Sequence, residues 1–468
     1  MRNVEEFFRR MRLQPRPGQL EAAQELARML SNPAVGFEAP TGFGKTVTVL
    51  AALWSRELLP AVWRVRTYAV ARHIADECAR CEQRFFIAGG RERTCPLAQE
   101  YGAALPWYCR YRRHECSYFS KLLERAKEAY SGGITAFSYE DLSAERGCPY
   151  YQQLLVKGVE VYIAAYNMGL ELPAAVEVVD EAHNAVEVRC LPESEVWEAL
   201  SPIMDELPES FEPSHVGELL EMQLARAHDL KLMKRVARVA SLLKGVWAWR
   251  EEGEVCVLRL YRPRAARVVF VSATLTPVAH LFNVPVVSVP VRKREALVTT
   301  WLTTRYADFD EKMVTSYNKL IFTLRKYCRR ILLFATKRVL SALSFDYGEE
   351  AVGEWLTHGG VLGLLARGRR AEGVNLEADC VVLAGAAFLP PHVRVQKVGL
   401  SPEVIPAVTA LQNVGRATRA PDACVRVVLA DERFARIPLL REHFELREVH
   451  SLKELQGALH QRDIKPPC

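Results

Sequence analysis

The chain has 468 residues, of which 49% are hydrophobic and 25% charged, with a net charge of +6 and 12 cysteines. This length allows about two to four domains with sizeable cores, and the mild basicity permits nucleic-acid binding without requiring it. The N-terminus MRNVEEFFRRMR has no apolar segment of a secretory signal, and no apolar run is long enough to span a bilayer. We therefore expect an intracellular protein with no membrane partner and no secreted disulfide framework.

Short β-branched runs alternate with helical patterns along the chain. The helical patterns include QLEAAQELARML at 19–30 and FDEKMVTSYNKLIFTLRKY at 309–327. The strand-like runs are AVWRVR (61–66), VYIAA (161–165), VEVVDEAH (176–183), ARVVFVSATL (266–275), RRILLFAT (329–336), DCVVLAGA (379–386) and CVRVVLADERF (424–434). Buried strands alternating with helices predict an α/β fold with parallel sheets. The length accommodates two sheets, one on each side of about residue 285.

Two regions interrupt this alternation. Residues 82–149 are rich in Cys, Arg, Tyr and Gly and carry little strand signal, whereas residues 186–262 have a mostly helical pattern. Both regions are predicted to be insertions into the first sheet domain. The sequence has no solenoid repeat and no low-complexity linker.

The segment AVGFEAPTGFGKT carries a phosphate-binding pattern after its first strand-like residues. Glycines allow backbone N–H groups to turn toward phosphate oxygens, a lysine neutralises phosphate charge, and a hydroxyl can ligate Mg²⁺. The strand–loop–helix setting makes a chance glycine-rich turn a poor explanation. The residues predicted to bind nucleotide phosphate are Thr41, Gly42, Phe43, Gly44, Lys45 and Thr46.

Paired acids end the strand-like run at VVDEAHN. Asp180 is suited to hold Mg²⁺, and Glu181 is suited to orient or deprotonate an attacking water. Alone, such a pair is more often a surface acid cluster. After a phosphate loop in an α/β chain, we interpret it as the second half of a Mg-ATP site.

A third pattern, QNVGRATR, lies in the second half of the chain. Arg416 and Arg419 are three residues apart and share one face of a helix, from which two guanidinium groups can reach a γ-phosphate. The alternative is a solvated basic face. A fourth pattern, SATLTP at 272–277, ends a strand, and its hydroxyls are suited to relay the nucleotide state to a bound polymer.

In this order, these motifs resemble those of superfamily 2 helicases of the DEAH type, and in particular the XPD branch with its DinG-like members. RPGQ at 16–19 is similar to the adenine-reading segment, Arg66-Thr67 to motif Ia, SATLTP to motif III, ARGRRAEGVN at 366–375 to motif V, and QNVGRATR to motif VI. The Pro390-Pro391 pair after a strand also fits that branch. The resemblance is colinear over most of residues 14–434.

The resemblance implies two RecA-like motor domains that hydrolyse ATP with Mg²⁺ and move 5′→3′ on single-stranded DNA. It assigns nucleotide contacts to Arg16, Gln19 and Gly373, catalytic roles to Gln412 and the two arginines of QNVGRATR, and DNA contacts to Arg66 and Thr67. We expect a monomeric motor that acts on single-stranded or forked DNA in repair, with repair proteins as further partners.

The expected domain boundaries follow from the same resemblance. Residues 1–81, 150–185 and 263–285 form motor domain 1, and residues 286–468 form motor domain 2. Residues 82–149 form an iron–sulfur domain, and residues 186–262 a shortened helical Arch. Only 88 residues separate His183 from Ser272, which argues against full encirclement of DNA. Asn375 also stands where the family often has Asp, so no salt bridge is expected there.

The family's iron–sulfur domain is held by four cysteines. The best assignment here is Cys95, Cys109, Cys116 and Cys148, spaced C-x13-C-x6-C-x31-C, and four thiolates fit a [4Fe–4S] cluster. Zinc and inert thiols are the alternatives, although a zinc ribbon would bring a short C-x2-C into the set. The one C-x2-C nearby, Cys78 to Cys81, lies on an expected helix and is interpreted as core packing, with zinc or a disulfide as alternatives.

Aromatic and basic residues surround these cysteines. Trp107 and Tyr108 are suited either to stack on bases or to cover the cluster. Arg110, Arg112 and Arg113 are suited either to meet DNA phosphates as a basic wedge or to be solvated. Two other activities share the motor motifs, namely unwinding of RNA or RNA–DNA hybrids, and an ATP-switched remodeller or scaffold that does not unwind.

Overall fold

The structure is a computed structural model of the chain. For 126–132 and 461–464 it describes the backbone alone. The described residues are 2–40, 42–227, 229–275, 279, 281–290, 293–366, 376–390, 393, 399, 401–417 and 425–464. The chain divides into two compact units, one made of residues 1–38, 44–288 and 390–398, the other of residues 39–43, 289–389 and 399–468.

The first unit contains a parallel sheet and an antiparallel sheet. Its helices are α1 (Val4–Arg10), α2 (Gln19–Met29), α3 (Lys45–Ser55), α4 (Tyr68–Arg80), α5 (Arg91–Thr94), α6 (Ala98–Tyr101), α7 (Leu105–Tyr111), α8 (Ser117–Gly132), α9 (Pro149–Gln152), α10 (Glu193–Leu200), α11 (Ser214–Arg226) and α12 (Leu230–Leu242). Its strands are β1 (Ala34–Glu38), β2 (Ala61–Val65), β3 (Phe85–Ile87), β4 (Val161–Ala165), β5 (Val176–Val179), β6 (Val186–Pro192), β7 (Ser210–Phe211), β8 (Trp247–Glu251), β9 (Glu254–Leu260), β10 (Val268–Ser272) and β11 (Val286–Ser288).

Seven of these strands form the parallel sheet, in the order β11-β1-β10-β5-β2-β4-β3. Strands β2, β5 and β10 are buried along their whole length, as expected for strands that are covered on both faces. The predicted strands at 61–66, 161–165, 176–183 and 266–275 are therefore confirmed. Strand β3 lies inside the cysteine-rich interval, where little strand signal was expected, and it pairs with β4 at the sheet edge.

The prediction of a mostly helical insertion at 186–262 is wrong in part. Helices α10, α11 and α12 are present, but they cover one face of a four-stranded antiparallel sheet in the order β6-β9-β8-β7. Alternate residues of β9, Val255 and Val257, point into the core that these helices share. Strand pairing over this distance in sequence, Val186 with Leu260 for example, outweighs the local helical pattern on either side.

The second unit is built on a six-stranded parallel sheet in the order β14-β13-β15-β16-β12-β17. Its strands are β12 (Arg294–Thr299), β13 (Arg330–Ala335), β14 (Gly360–Leu365), β15 (Cys380–Ala384), β16 (Arg426–Ala430) and β17 (Phe444–Val449). Its helices are α13 (Glu311–Leu324), α14 (Lys337–Leu340), α15 (Val352–His358), α16 (Val404–Ala417), α17 (Pro438–His443) and α18 (Leu452–Ile464).

Both faces of this second sheet are covered by buried side chains. Leu332 and Phe334 of β13 point into one hydrophobic core, whereas Ile331 and Leu333 point into the other. Alternate residues therefore serve opposite faces, which explains why the strand sequence RILLFA is apolar without interruption. The predicted α/β fold with two parallel sheets is confirmed, including the strands at 329–336, 379–386 and 424–434 and the helix at 309–327.

Candidate nucleotide and cysteine sites

Four of the predicted motifs meet at one edge of the first parallel sheet. Strands β1, β10, β5 and β2 are neighbours in that order, and all run in the same direction. Their carboxyl ends lead respectively into the glycine-rich loop, Ser272 to Thr274, Asp180, and Arg66. Ligands of open parallel sheets bind outside the carboxyl ends of the strands, so this edge, together with the start of α3 from Gly44 onward, is the candidate site in the first unit.

The glycine-rich loop has the backbone shape that its sequence predicts. Gly42 and Gly44 have φ angles of 84° and 88°, in the left-handed region that favours glycine. Helix α3 begins directly afterwards at Lys45, with Gly44 as its N-cap, so the positive end of the helix dipole lies next to the loop. Lys45 and Thr46 therefore stand at a helix N-terminus that is suited to a phosphate group. Thr41 lies outside the described residues.

Gln19 connects helix α2 to this loop. Its side-chain amide donates to the Gly44 carbonyl (3.1 Å) and to the Thr48 hydroxyl (3.3 Å), and its Oε1 accepts from the backbone N–H of Arg16 (2.9 Å). A Cβ at Gly44 would lie 2.6 Å from the Gln19 amide nitrogen, so this close approach requires glycine. The structure thus brings Arg16 and Gln19 to the phosphate loop.

Asp180 is a buried carboxyl group directly after β5. Burial and the neighbouring Glu181 raise the pKa of Asp180, while the charge of Lys45 lowers it. Lys45 is therefore close enough for its charge to stabilise the ionised Asp180 carboxylate. A cation, a carboxylate and a phosphate lie near one another in the same way in Mg-ATP sites. Glu181 adopts a left-handed backbone with φ 48°, which is uncommon for a residue other than glycine and often marks a functional site.

His183 connects the paired acids to the neighbouring strand, a contact that the sequence analysis did not predict. Its Nδ1 lies 2.7 Å from the Ser272 hydroxyl, and the Ser272 hydroxyl accepts from the Thr274 backbone N–H at 3.0 Å. Burial lowers the pKa of His183, which favours the neutral ring. The two residues are 89 positions apart in the sequence, so no local spacing pattern predicts this contact.

Arg66 and Thr67, predicted to contact DNA, have partners within the first unit. A guanidinium nitrogen of Arg66 donates to the Asn184 side chain at 2.5 Å. The Thr67 hydroxyl accepts from the Val70 backbone N–H at 3.3 Å and is the N-cap of α4. Both side chains are half-buried. Their position places the end of β2 beside the segment that carries the paired acids.

The four predicted cluster cysteines come together in the first unit. The pKa of Cys95 is raised to about 11, mainly by burial and also by the Cys109, Cys148 and Cys116 thiols. Burial likewise raises the pKa of Cys109 and of Cys148; Cys148 and Cys116 add to the effect at Cys109, and Cys116 adds to it at Cys148. All four are free thiols, so each is available as a ligand.

Hydrogen-bond donors surround these sulfur atoms. The backbone N–H of Leu97 reaches Cys95, and the Tyr150 and Tyr151 N–H groups reach Cys148 at the start of α9. The Arg91 side chain reaches Cys109. Donors of this kind stabilise negative charge on sulfur, as a metal or cluster ligand requires.

The aromatic and basic residues around the cysteines face the insertion. Trp107 is 5% exposed and lies in the same hydrophobic core as Val196 and Leu220, with the Lys244 ammonium 4.8 Å from its ring centroid. Tyr108 is 8% exposed, and its ring lies 4.2 Å from that of Tyr101. This burial favours packing over the stacking of either ring on a base.

The three arginines also have contacts in the first unit. Arg110 pairs with Glu221 at 3.0 Å, and Arg112 donates to the Ala227 carbonyl at 2.9 Å. The Arg113 guanidinium lies 5.4 Å from the Phe119 ring centroid. The Arg110 side chain remains 59% exposed, so solvent reaches it beside the ion pair. Roles in DNA binding stay predictions for all three.

Two further cysteine pairs lie outside the predicted set. Cys190 and Cys256 face each other across β6 and β9 and form a disulfide, which the sequence could not reveal because 66 residues separate them. Their sulfur atoms and a Glu254 carboxylate oxygen lie within 4.8 Å of one another, but sulfur atoms bonded to each other do not act as thiolate metal ligands. Cys78 and Cys81 are fully buried, which favours their interpretation as core thiols.

In the second unit, helix α16 carries the predicted arginine motif. Arg416 is buried, with its guanidinium 5.5 Å from the Phe334 ring centroid, whereas Gln412 is half-buried. Asn413 donates to the Ala366 carbonyl at 3.0 Å and ties the helix to the end of β14. Arg419 and Gly373 lie outside the described residues, and so do Asn375, Pro391 and the end of SATLTP.

Comparison with solved structures shows the fold of the chain. A solved XPD helicase structure has a TM-score of 0.65 at 16% identity and covers 93% of this chain and 100% of its own. An apo XPD structure has a TM-score of 0.60 at 16% identity, covering 92% and 100%. The structure of S. tokodaii Xpd4 has a TM-score of 0.58 at 15% identity, covering 93% and 100%.

The chain thus has the fold of XPD helicase structures, and the predicted arrangement of two RecA-like domains is confirmed. No protein-family model and no curated protein matches the chain. Among the described residues, no helix is both long enough and apolar enough to cross a membrane.

Proposed function

We propose that the chain is an ATP-dependent helicase or translocase of the XPD-like type, which moves 5′→3′ on single-stranded DNA and separates strands in DNA repair. One observation carries the proposal. Lys45 at the N-terminus of α3 and Asp180 after β5 act on each other at the same edge of an XPD-like sheet. A cation at a phosphate loop beside a buried acid is the arrangement that phosphoryl transfer from Mg-ATP requires.

The residues of this edge take complementary roles in the proposal. Lys45 would neutralise β/γ-phosphate charge, and the predicted loop from Thr41 to Thr46 would offer backbone N–H groups to the phosphates. Thr46 and Asp180 would hold Mg²⁺, which supplies positive charge as the terminal phosphate leaves. Glu181 orients or deprotonates the attacking water. Arg16, which precedes α2, and Gln19 at the start of α2 would contact the nucleotide, and Gln19 is hydrogen-bonded to the loop at Gly44.

Several assigned roles rest on the family resemblance. Gly373 would contact the nucleotide, Gln412 would position the attacking water, and Arg416 and Arg419 would stabilise charge on the γ-phosphate as arginine fingers. Arg66 and Thr67 would contact the DNA backbone, and Arg110, Arg112 and Arg113 would form a basic wedge that meets phosphates. We keep a monomeric motor acting on single-stranded or forked DNA, with repair-protein partners, as part of the proposal.

A [4Fe–4S] cluster fits the four free thiols Cys95, Cys109, Cys116 and Cys148. These thiols act on one another, and N–H donors lie beside them, as the ligand set of a four-iron group requires. A single zinc ion bound by the same four thiolates is the alternative. The bound cluster would supply a covalent connection between α5, α7, α8 and α9.

The domain division is also part of the proposal. We assign residues 82–149 to the iron–sulfur domain and 186–262 to a reduced Arch, with 1–81, 150–185 and 263–285 as motor domain 1 and 286–468 as motor domain 2. Strand β3 within 82–149 pairs with the first sheet, and so does β11 at Val286–Ser288. Both strands thus belong to the sheet of motor domain 1, although the expected boundaries place β3 in the iron–sulfur domain and β11 in motor domain 2.

A second candidate function is a DNA-stimulated ATPase or remodeller that does not unwind processively. It is favoured by the core that Trp107 shares with the insertion, together with the ion pair between Arg110 and Glu221. These contacts fasten the cysteine-rich segment to the insertion. Because the cysteine-rich segment and the insertion at 186–262 are held together, they are less free to separate and let a DNA strand pass between them.

A strand-displacement assay separates the two functions. The proposal predicts ATP-dependent displacement of a duplex with a 5′ single-stranded tail, little displacement with a 3′ tail, and none with Lys45→Ala, which removes the phosphate-binding charge. A matched substrate with an RNA tail tests the hybrid alternative, because contacts to the 2′-OH decide such preferences.

DNA-stimulated hydrolysis without displacement of either tail would contradict the helicase proposal and favour the remodeller. Displacement that survives Lys45→Ala would exclude the phosphate loop as the motor site. Faster displacement on the RNA-tailed substrate would assign the motor to RNA or hybrids.

A further inference from the structure

The insertion at 186–262 joins the first motor unit through a narrow neck. Strand β6 leaves the paired-acid segment at Val186, and β9 returns to it at Leu260, opposite Val186 in the antiparallel pairing. The disulfide between Cys190 and Cys256 fastens these two strands to each other. Movement of the insertion relative to the sheet therefore acts on the residues at the base of this neck, in addition to its contacts with α7.

Tyr261, the first residue after β9, fastens the base of the neck to the segment that carries the paired acids. Its backbone N–H donates to the Ala185 carbonyl at 2.7 Å. Its hydroxyl donates to the Glu177 carboxylate on β5. Tyr261 thus contacts Glu177 and Ala185, which lie before and after Asp180 in the sequence.

Glu177 is a fully buried acid that the proposed chemistry does not use. It pairs with the Arg64 side chain at 2.9 Å and accepts from the Arg264 and Ala265 backbone N–H groups at 2.7 and 3.2 Å. Burial alone would raise the pKa of Glu177, but the hydrogen bond from Tyr261, the backbone donors and the Arg64 charge lower it. The buried carboxylate is therefore a fixed anchor for the chain that returns from the insertion.

Tyr166 completes the connection to Asp180. Its ring centroid lies 4.9 Å from that of Tyr261, and its hydroxyl donates to the Asp180 backbone carbonyl. Burial raises the pKa of both tyrosines, so both hydroxyls stay protonated and act as donors.

The peptide group between Asp180 and Glu181 is held from both sides. Its carbonyl accepts from Tyr166, and its N–H donates to an Asp180 side-chain oxygen at 3.0 Å. This peptide precedes the left-handed backbone of Glu181. Loss of the Tyr166 bond would free the peptide to rotate and would change where both carboxylates point.

We propose that Tyr166 and Tyr261 are positioning residues that couple the insertion neck to the Mg²⁺-holding carboxylate Asp180. The inference rests on the proposed function, since it assigns Asp180 to Mg²⁺. The neck holds Tyr261, the Tyr261 ring contacts the Tyr166 ring in a tilted arrangement, and the Tyr166 hydroxyl holds the Asp180–Glu181 peptide. The insertion thereby acts on ATP hydrolysis without touching the nucleotide.

The test compares Tyr166→Phe and Tyr261→Phe, which keep the rings and remove the hydroxyls. Tyr162→Phe is the matched control, because Tyr162 is buried on β4, which ends just before Tyr166, and its hydroxyl donates to the Val156 carbonyl at 3.3 Å. ATP hydrolysis is measured against Mg²⁺ concentration at saturating ATP, and thermal unfolding is measured for each protein.

We expect Tyr166→Phe to raise the Mg²⁺ concentration for half-maximal rate by about 5- to 10-fold, the loss of one net hydrogen bond. Tyr261→Phe should shift the same quantity less, and the double variant should shift it by less than the product of the two single shifts, because coupled residues are not additive. Tyr162→Phe should match the wild type in Mg²⁺ dependence even where its thermal stability falls.

A Tyr166→Phe protein with the Mg²⁺ dependence of Tyr162→Phe, or a double variant whose shift equals the product, would overturn the coupling while leaving ATP hydrolysis intact. A wild-type protein whose hydrolysis is absent or independent of Lys45 would instead overturn the proposed function, and the coupling with it. The two failures are thus distinguished by the wild-type rate.

Discussion

At the scale of single residues, the candidate site depends on side chains that other parts of the chain hold in place. Lys45 and Asp180 were predicted from local motifs, because a glycine-rich loop and paired acids after strands have recognisable patterns. Tyr166 and the His183–Ser272 contact were not predicted, because their partners are set by strand order. Sequence patterns therefore predict the reactive residues of such a site, but they do not predict the contacts that hold those residues in place.

The cysteine assignment gives a residue-scale prediction. Cys148→Ser removes one of four ligands, so iron bound to the purified protein should fall from about four atoms per chain, with loss of visible absorbance. Iron and zinc assays on anaerobically purified protein measure both. Cys328→Ala is the control, because Cys328 is also a buried free thiol but lies in the second unit.

In that control, iron content should equal that of the wild type. A colourless wild-type protein that contains stoichiometric zinc would contradict the cluster assignment. Equal iron in wild type and Cys148→Ser would remove Cys148 from the ligand set.

At the scale of elements, strands with continuous apolar sequence were predictable and paired strands in the insertion were not. RILLFA in β13 is buried on both faces, so its apolar pattern alone indicates a strand. β8 and β9 form a hairpin beside long helical segments, and their identity depends on pairing with β6 at the other end of the insertion. The strands of the insertion therefore depend on pairing between residues distant in sequence, whereas the strands of the two parallel sheets could be predicted from local sequence pattern.

Helix α7 and the insertion share a core, which gives an element-scale prediction. Trp107→Ala removes a ring that is 5% exposed, and such substitutions in a core cost about 3–5 kcal/mol. Hydrogen exchange in α10, α11 and α12 should therefore become faster, since local opening of that core costs less free energy.

Phe322→Ala is the control for this measurement. Phe322 is 65% exposed in the second unit, so its removal should change local stability by less than about 0.5 kcal/mol. Unchanged exchange in the three helices of Trp107→Ala would show that Trp107 does not fasten the insertion.

At the scale of the whole molecule, two parallel sheets and two insertions account for the described chain. The likeness to an XPD helicase structure covers 93% of the chain and shows its fold. The insertion is the part where this chain combines an antiparallel sheet, a disulfide and a shared core with the cysteine-rich segment. Residues 82–262 are therefore the part of the chain in which substitutions test strand separation most directly.

The rate of ATP hydrolysis with and without single-stranded DNA, for the wild type and for Lys45→Ala, tests most directly whether the chain is a DNA-dependent motor. We expect single-stranded DNA to stimulate hydrolysis, and the Lys45→Ala rate to fall by about 10²–10³-fold, because the Lys45 charge stabilises the transferred phosphoryl group. A rate that single-stranded DNA does not change, or that persists in Lys45→Ala, would show that the chain is not such a motor.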